Sequence, residues 1–177
     1  MGYHKGDGFE EIINLANLSY KRKGIALVQK IATPMKPKRR GNQIVGAYYE
    51  EKSTLDYIGV YESIPIAFDA KETREETRFP LNNIQPHQIE FMSNWYKHGG
   101  VAFLLIYFTK LNLIYRLDWT TLDWYWRQYQ ENRGKRGFGS IPLNEFQCNC
   151  KQLKSRDGII LDYLEGIKDG YKEASNN

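Results

Sequence analysis

The sequence predicts an α/β fold in which a mixed β-sheet is flanked by helices. Helical and strand-like periodicities alternate in the order helix, strand, basic arm, two strands, helix, two strands, helix, which is typical of an α/β sandwich. The most apolar run, residues 101–108, has the character of a central strand buried on both faces. A length of 177 residues, without an internal repeat or a long linker, suits one domain spanning residues 1–177.

Composition excludes several classes of protein. The chain has no apolar run long enough for a transmembrane helix, and its N-terminus lacks the apolar core of a signal peptide. Cys148 and Cys150 have no second Cys or His pair that would complete a zinc site. We therefore expect reduced thiols in a cytoplasmic protein without a membrane partner. The net charge of +4 is by itself weak evidence for a nucleic-acid partner.

The first helix is predicted over residues 8–23, and Gly24 ends it before a strand over residues 25–31. Asp7 is a plausible N-cap, and Glu10 three residues later resembles the second member of a capping box. Glu10 is therefore open to two interpretations, as a helix cap or as a carboxylate brought to a functional site. One helix face carries the apolar residues Phe9, Ile12, Ile13, Ala16 and Tyr20.

A basic arm follows this strand. Residues 33–41 contain two prolines and a glycine, which predicts an exposed excursion without regular structure. Residues 44–49 are predicted to return as an extended strand. The arm is either a solvated loop or a projection that touches DNA, where each phosphate contact adds salt-dependent affinity. Its positive charges are Lys36, Lys38, Arg39 and Arg40.

Two short apolar runs, residues 54–61 and 66–73, are the centre of the chain. Asp69 and Lys71 share one strand face, and Asp56 comes close to Asp69 if the runs pair as a hairpin. Two carboxylates and an amine at one edge can hold a divalent cation and position a water for attack on phosphorus. The spacing matches the PD-(D/E)xK nuclease motif. The alternative is a solvated ion pair on an ordinary half-buried strand.

The second half of the chain has simpler patterns. Residues 74–80 are predicted to be a polar turn, and residues 86–98 a helix that begins at Pro86. Gln88, one turn into this helix, is placed to reach the active edge. Residues 111–117 are expected to pair with the apolar strand.

A third helix is expected from Asp118 or Thr121, and its aromatic belt is interpreted as core or dimer surface. Residues 132–139 form a loop rich in Gly and Arg, residues 141–150 are weakly patterned, and residues 159–164 are expected to open a final helix. The aromatic belt consists of Trp124, Tyr125, Trp126 and Tyr129.

Several short motifs together resemble the RecU family, the Holliday junction resolvases of Gram-positive bacteria and some of their phages. The resemblance covers about residues 5–165. No single motif is specific, whereas the combination is. The motifs include Thr54-x-Asp56-Tyr57-x-Gly59, Ala70-Lys71-Glu72-Thr73 and His87-Gln88-Ile89.

The resemblance implies a homodimeric, Mg²⁺-dependent endonuclease of restriction-endonuclease-like fold, with Mn²⁺ as a substitute metal. Such an enzyme nicks opposed strands of four-way DNA in recombination and repair, and recombinase or branch-migration proteins are candidate partners. Asp56, Asp69 and Glu10 would bind the metal, and Lys71 would act on the attacking water. The arm, at about residues 33–52, would be the protruding stalk. The DNA-binding residues predicted are Lys5, Lys36, Lys38, Arg39, Arg40, Lys52 and Gln88.

Two features depart from the family pattern. Asp69 replaces the usual Glu, and the arm lacks several residues. The rival hypotheses are another DNA endonuclease of the same fold, and a non-catalytic junction-binding recombination factor whose acidic cluster is structural.

Overall fold

The computed structural model describes residues 7–32, 35–49, 54–169 and 171. Within these ranges, helices and strands follow in an order close to the predicted one. The N-terminal half contains α1 (Asp7–Arg22), β1 (Ala26–Lys30), β2 (Met35–Arg40), β3 (Gln43–Tyr49), β4 (Tyr57–Tyr61), β5 (Ile64–Thr73) and β6 (Arg78–Pro80). A 3₁₀ turn (Leu81–Asn83) leads to α2 (Pro86–Lys97), β7 (Val101–Phe108), β8 (Leu113–Asp118), α3 (Trp119–Glu131), β9 (Ser140–Pro142), α4 (Leu143–Asn149) and β10 (Lys151–Gln152).

The centre of the molecule is a six-stranded sheet in the order β1-β4-β5-β7-β8-β10. β5 and β7 are parallel, and the other neighbouring pairs are antiparallel. The parallel pair needs a crossover, which α2 provides. The predicted mixed sheet flanked by helices is therefore confirmed, and β7 is its buried central strand.

Alternation along each strand divides the core into two layers. Ile66 and Phe68 of β5 face the layer that contains α1, together with the segment that follows β10. Ala67 faces the other layer, which contains α2, α3 and α4. Phe68 stacks between Tyr57 and Phe103, with ring centroids 4.8 Å apart on both sides. The strand that carries the candidate site is thus fixed from both faces.

Gly59 allows β1 and β4 to lie close together. A Cβ atom at this position would be 2.4 Å from the carbonyl oxygen of Leu27 and 2.8 Å from the Cα of Val28. Backbone atoms cannot move aside as a flexible side chain can, so the position requires glycine.

The basic arm is a β-hairpin, and the prediction that residues 33–41 lack regular structure is wrong for residues 35–40. β2 pairs with β3 in a separate two-stranded sheet, with Pro37 opposite Ala47. Proline lacks a backbone N–H. A strand that is paired on one side only accommodates it, because no second neighbouring strand needs that donor. The described side chains from Lys36 to Tyr48 are exposed. The predicted return strand is confirmed as β3.

The final helix predicted over residues 159–164 is wrong. Ile159, Leu161 and Tyr163 are buried, whereas Ile160 between them is 47% exposed. The segment is irregular, not helical, and its buried side chains pack in the same core cluster as those of α1.

Two further local predictions missed short elements. The last three residues of the predicted polar turn are β6, which pairs with β9 and buries Phe79. The weakly patterned residues contain α4, which is seven residues long and buries only Phe146. In the aromatic belt, Trp124 is 58% exposed, while its three aromatic neighbours pack against the core. No helix in the described part of the chain has the length and apolarity needed to span a bilayer.

Candidate active site

The candidate site forms where β5 continues beyond the end of β4. The β4–β5 register ends with Tyr57 opposite Phe68, and β5 runs on to Thr73 alongside β7. Asp56 immediately precedes β4, so it continues the register opposite Asp69. Directly opposed residues on antiparallel strands point to the same sheet face.

Asp56 takes the place of a strand partner for the extended part of β5. Its Oδ2 accepts a hydrogen bond of 3.2 Å from the backbone N–H of Ala70, and its own carbonyl accepts one of 2.7 Å from the N–H of Ile31. The Asp56 carboxylate is therefore tied to the same backbone that carries Asp69 and Lys71.

Asp69 is fully buried, and its two oxygens have different surroundings. Oδ1 accepts a 2.9 Å hydrogen bond from Nε2 of Gln88. Oδ2 lies 2.5 Å from Nζ of Lys71 but accepts no hydrogen bond of normal geometry. A buried carboxylate oxygen beside a partly exposed ammonium and close to a second carboxylate is suited to accept a cation.

The electrostatics of Asp69 also indicate that its carboxylate is suited to bind a cation. The pKa of its carboxyl is raised from 3.8 to about 7, chiefly by burial; the ammonium of Lys71 lowers it, and the nearby Asp56 carboxylate raises it. A divalent cation at this point would stabilise the ionised form and offset the repulsion between the two carboxylates.

Glu10 reaches the same region from α1, on the other side of the sheet edge. Its carboxylate forms an ion pair with Lys30 of β1. A cleft of about 650 Å³ has both Glu10 and Lys71 in its walls. The pKa of the Tyr57 hydroxyl is raised first by burial and then by the charges of Glu10, Asp56 and Asp69. The charges of the three predicted carboxylates therefore all act on one tyrosine.

The structure brings the predicted residues together to different degrees. Asp56, Asp69 and Lys71 are in direct contact or share one backbone segment, whereas Glu10 is held by Lys30. Among the described residues, no three His, Cys, Asp or Glu side chains group closely enough to enclose a metal ion. The donor set that fits a divalent cation is therefore the two carboxylates of Asp56 and Asp69, next to the cleft that Ala70 and Lys71 line.

Sequence reasoning missed Lys30, although its signal was present. Ala26 and Val28 of β1 pack against the α1 layer, so alternation places Lys30 on the same side, where it meets Glu10.

The predicted DNA-binding residues fall into three groups. Those on β2 are exposed on the hairpin. Gln88 is 7% exposed and contacts Asp69. Lys5 and Lys52 lie outside the described residues. The exposed residues of β2 are Lys36, Lys38, Arg39 and Arg40.

Comparisons with known proteins identify the family of the chain. The family model of recombination protein U matches residues 4–169. The Holliday junction resolvases RecU of Staphylococcus aureus strains JH9, COL and N315 are each 37% identical to the chain over 169 residues. The match covers 92% of this chain and 79% of each relative.

Proposed function

Since the chain belongs to the RecU family, we propose that it is a structure-selective DNA endonuclease that resolves four-way junctions during recombination and repair. The observation that carries the proposal is the buried Asp69, whose Oδ2 lies 2.5 Å from Nζ of Lys71, a residue in the wall of the cleft, with the Asp56 carboxylate nearby. A buried carboxylate held near a second carboxylate is costly to folding unless the site has a use for it.

The proposed reaction is metal-dependent phosphodiester hydrolysis. Asp56 and Asp69 would hold Mg²⁺, for which Mn²⁺ would substitute, and Glu10, which is paired with Lys30, would be the third candidate ligand. When bound, Mg²⁺ supplies Lewis acidity toward the phosphate and lowers the pKa of a coordinated water. Lys71 orients the attacking water and offsets the negative charge that develops on the phosphate. Its side chain is 20% exposed, so the ammonium can reach a phosphate in the cleft.

The hairpin of β2 and β3 is proposed as the surface that meets the centre of the junction. Its four basic positions, interrupted only by Pro37, are exposed and stand on a sheet separate from the core. Such residues contact phosphates without reading sequence, so selectivity would come from junction shape. A homodimer would place two sites on opposed strands.

The test compares wild type and Asp69→Asn on a labelled four-way junction and a matched linear duplex, with and without Mg²⁺. We expect symmetric nicks in the junction that depend on Mg²⁺ and vanish in the variant, while junction binding is retained. Unchanged nicking by Asp69→Asn would contradict the site. Equal cutting of duplex and junction would contradict structure selectivity, and tight junction binding without cleavage in Mg²⁺ or Mn²⁺ would contradict a nuclease altogether.

A further inference from the structure

Gln88 lies at the first turn of α2 and is almost fully buried, with 7% of its surface exposed. Both ends of its side-chain amide are used. Oε1 accepts a 3.1 Å hydrogen bond from the backbone N–H of Gln85, and Nε2 donates the 2.9 Å bond to Oδ1 of Asp69. A buried amide with both ends satisfied has a defined orientation.

The Gln85 contact decides which end of the amide faces the site. A backbone N–H can only donate, so it requires the amide oxygen. The amide nitrogen is then directed at Asp69 without the ambiguity that usually attends a glutamine flip. The start of α2 therefore presents one N–H donor to the buried carboxylate.

This donor determines what the rest of the Asp69 carboxylate can do. Because Oδ1 is engaged by Gln88, Oδ2 is the oxygen left to face Lys71. A carboxylate without this bond could rotate and divide its two oxygens between the ammonium and the cation in several ways. Partners that orient a metal-binding carboxylate contribute strongly to metal affinity.

We propose that Gln88 is a positioning residue that holds Asp69 with Oδ2 presented to the cation and Lys71, and that it does not contact DNA directly. The inference rests on the proposed function. It replaces the expectation that Gln88 binds DNA, because a side chain 7% exposed and bonded at both ends offers no surface to a phosphate.

The key variant is Gln88→Glu, because it separates the two contacts. The introduced carboxylate keeps an acceptor for the Gln85 N–H, at a position where glutamate is a favourable helix cap, but it has no N–H for Asp69. Because the introduced carboxylate faces the buried carboxylate of Asp69, we expect a lower melting temperature near neutral pH, together with unchanged junction binding and nicking slowed by about 10- to 100-fold. Nicking at the wild-type rate would overturn the inference, because a residue that only caps α2 would tolerate this change.

A second variant, Gln88→Leu, is tested for Mg²⁺ binding by calorimetry on the protein without DNA. Glu90→Gln, on the exposed side of the same helix, is the matched control. We expect Mg²⁺ affinity to fall at least about tenfold in Gln88→Leu and to stay within about twofold of wild type in the control. Equal affinity of Gln88→Leu and wild type would overturn the inference while leaving the proposed function intact.

A third measurement needs no variant of Gln88. In wild type, addition of Mg²⁺ should shift the side-chain amide resonances of Gln88, and Asp69→Asn should abolish the shift. Amide resonances that stay fixed while Mg²⁺ binds would overturn the inference even if both variants failed to fold. A wild type that binds Mg²⁺ and shows the shift, but does not nick junctions, would instead overturn the proposed function. Absence of Mg²⁺ binding by wild type would overturn both.

Discussion

Replacing Asp69 by Asn should remove a pH dependence from the stability of the metal-free protein. The carboxyl of Asp69 has a pKa raised from 3.8 to about 7, mainly by burial. Between these values the folded protein holds a proton that the unfolded chain has released. The unfolded state therefore binds fewer protons, and the free energy of unfolding falls as pH rises through this window.

The loss of unfolding free energy depends on the width of the pH range between the unfolded and folded pKa values of Asp69. One proton corresponds to about 1.4 kcal/mol for each pH unit. Since the window runs from 3.8 to about 7, wild type should lose on the order of 4 kcal/mol at most between acid and neutral pH. Asp69→Asn cannot titrate and should lack this component.

The assay is urea unfolding in a metal chelator at pH values between about 4.5 and 8, which span most of the window. The measure is the slope of stability against pH, because the substitution also removes the partner of Lys71 and so changes absolute stability. Asp157→Asn is the control, since the Asp157 side chain is 82% exposed. Addition of Mg²⁺ at the alkaline end of this range should stabilise wild type but not Asp69→Asn.

Two results would refute this account of Asp69. Parallel pH profiles for wild type and Asp69→Asn would mean that Asp69 titrates normally and is not desolvated in solution. A wild-type stability that rises from acid to neutral pH, relative to the variant, would mean that Lys71 outweighs burial.

Lys71, the basic hairpin and Gly59 each give one further prediction. Lys71→Met should slow nicking by at least about 100-fold with junction binding retained, as measured by single-turnover cleavage and gel shift. Serine substitution of the four basic residues of β2 should weaken junction binding, and the slope of log K against log salt should shrink by about one for each phosphate that the hairpin no longer neutralises. Gly59→Ala should destabilise the protein by on the order of 2 kcal/mol in urea unfolding, because its Cβ would lie 2.4 Å from the Leu27 carbonyl.

Each of these predictions has a matched control. Lys110→Met removes an exposed lysine that pairs with Glu76 and should leave nicking unchanged. Substitution of the basic group at residues 21–23 should change the salt slope less than substitution of β2, and an equal change would contradict the role of the hairpin. Gly46→Ala meets nothing within 4 Å, so a cost equal to that of Gly59→Ala would contradict the steric explanation.

The sheet and the pair of Asp69 and Lys71 were predictable because they depend on alternation. Side chains two apart on a strand share a face whatever surrounds them. Apolar runs long enough to show a period also predicted α1, β5 and β7. Short elements were missed because they are too short to show a period. For example, α4 buries only one residue, Phe146.

The surroundings of the site were harder to predict because they depend on tertiary contacts. Gln88 is 19 residues from Asp69 along the chain, and only the α2 crossover brings the two together. Lys30 and Glu10 meet across 20 residues. The sequence did place Gln88 at the active edge, but as a DNA contact, and its burial against Asp69 gives it a different role. Lys30 is an ordinary polar residue in the sequence, and only its partner Glu10 distinguishes it.

The part of β5 that continues beyond the end of β4 affects solubility as well as chemistry. Residues 69–73 have no strand beside them on the β4 side within the described chain, and a bare strand margin invites pairing with another molecule. Asp56 caps the Ala70 N–H there, and the charges of Asp69 and Lys71 discourage a foreign strand. Replacing these side chains with apolar ones would thus expose an aggregation-prone margin, so inactive variants made that way should also self-associate.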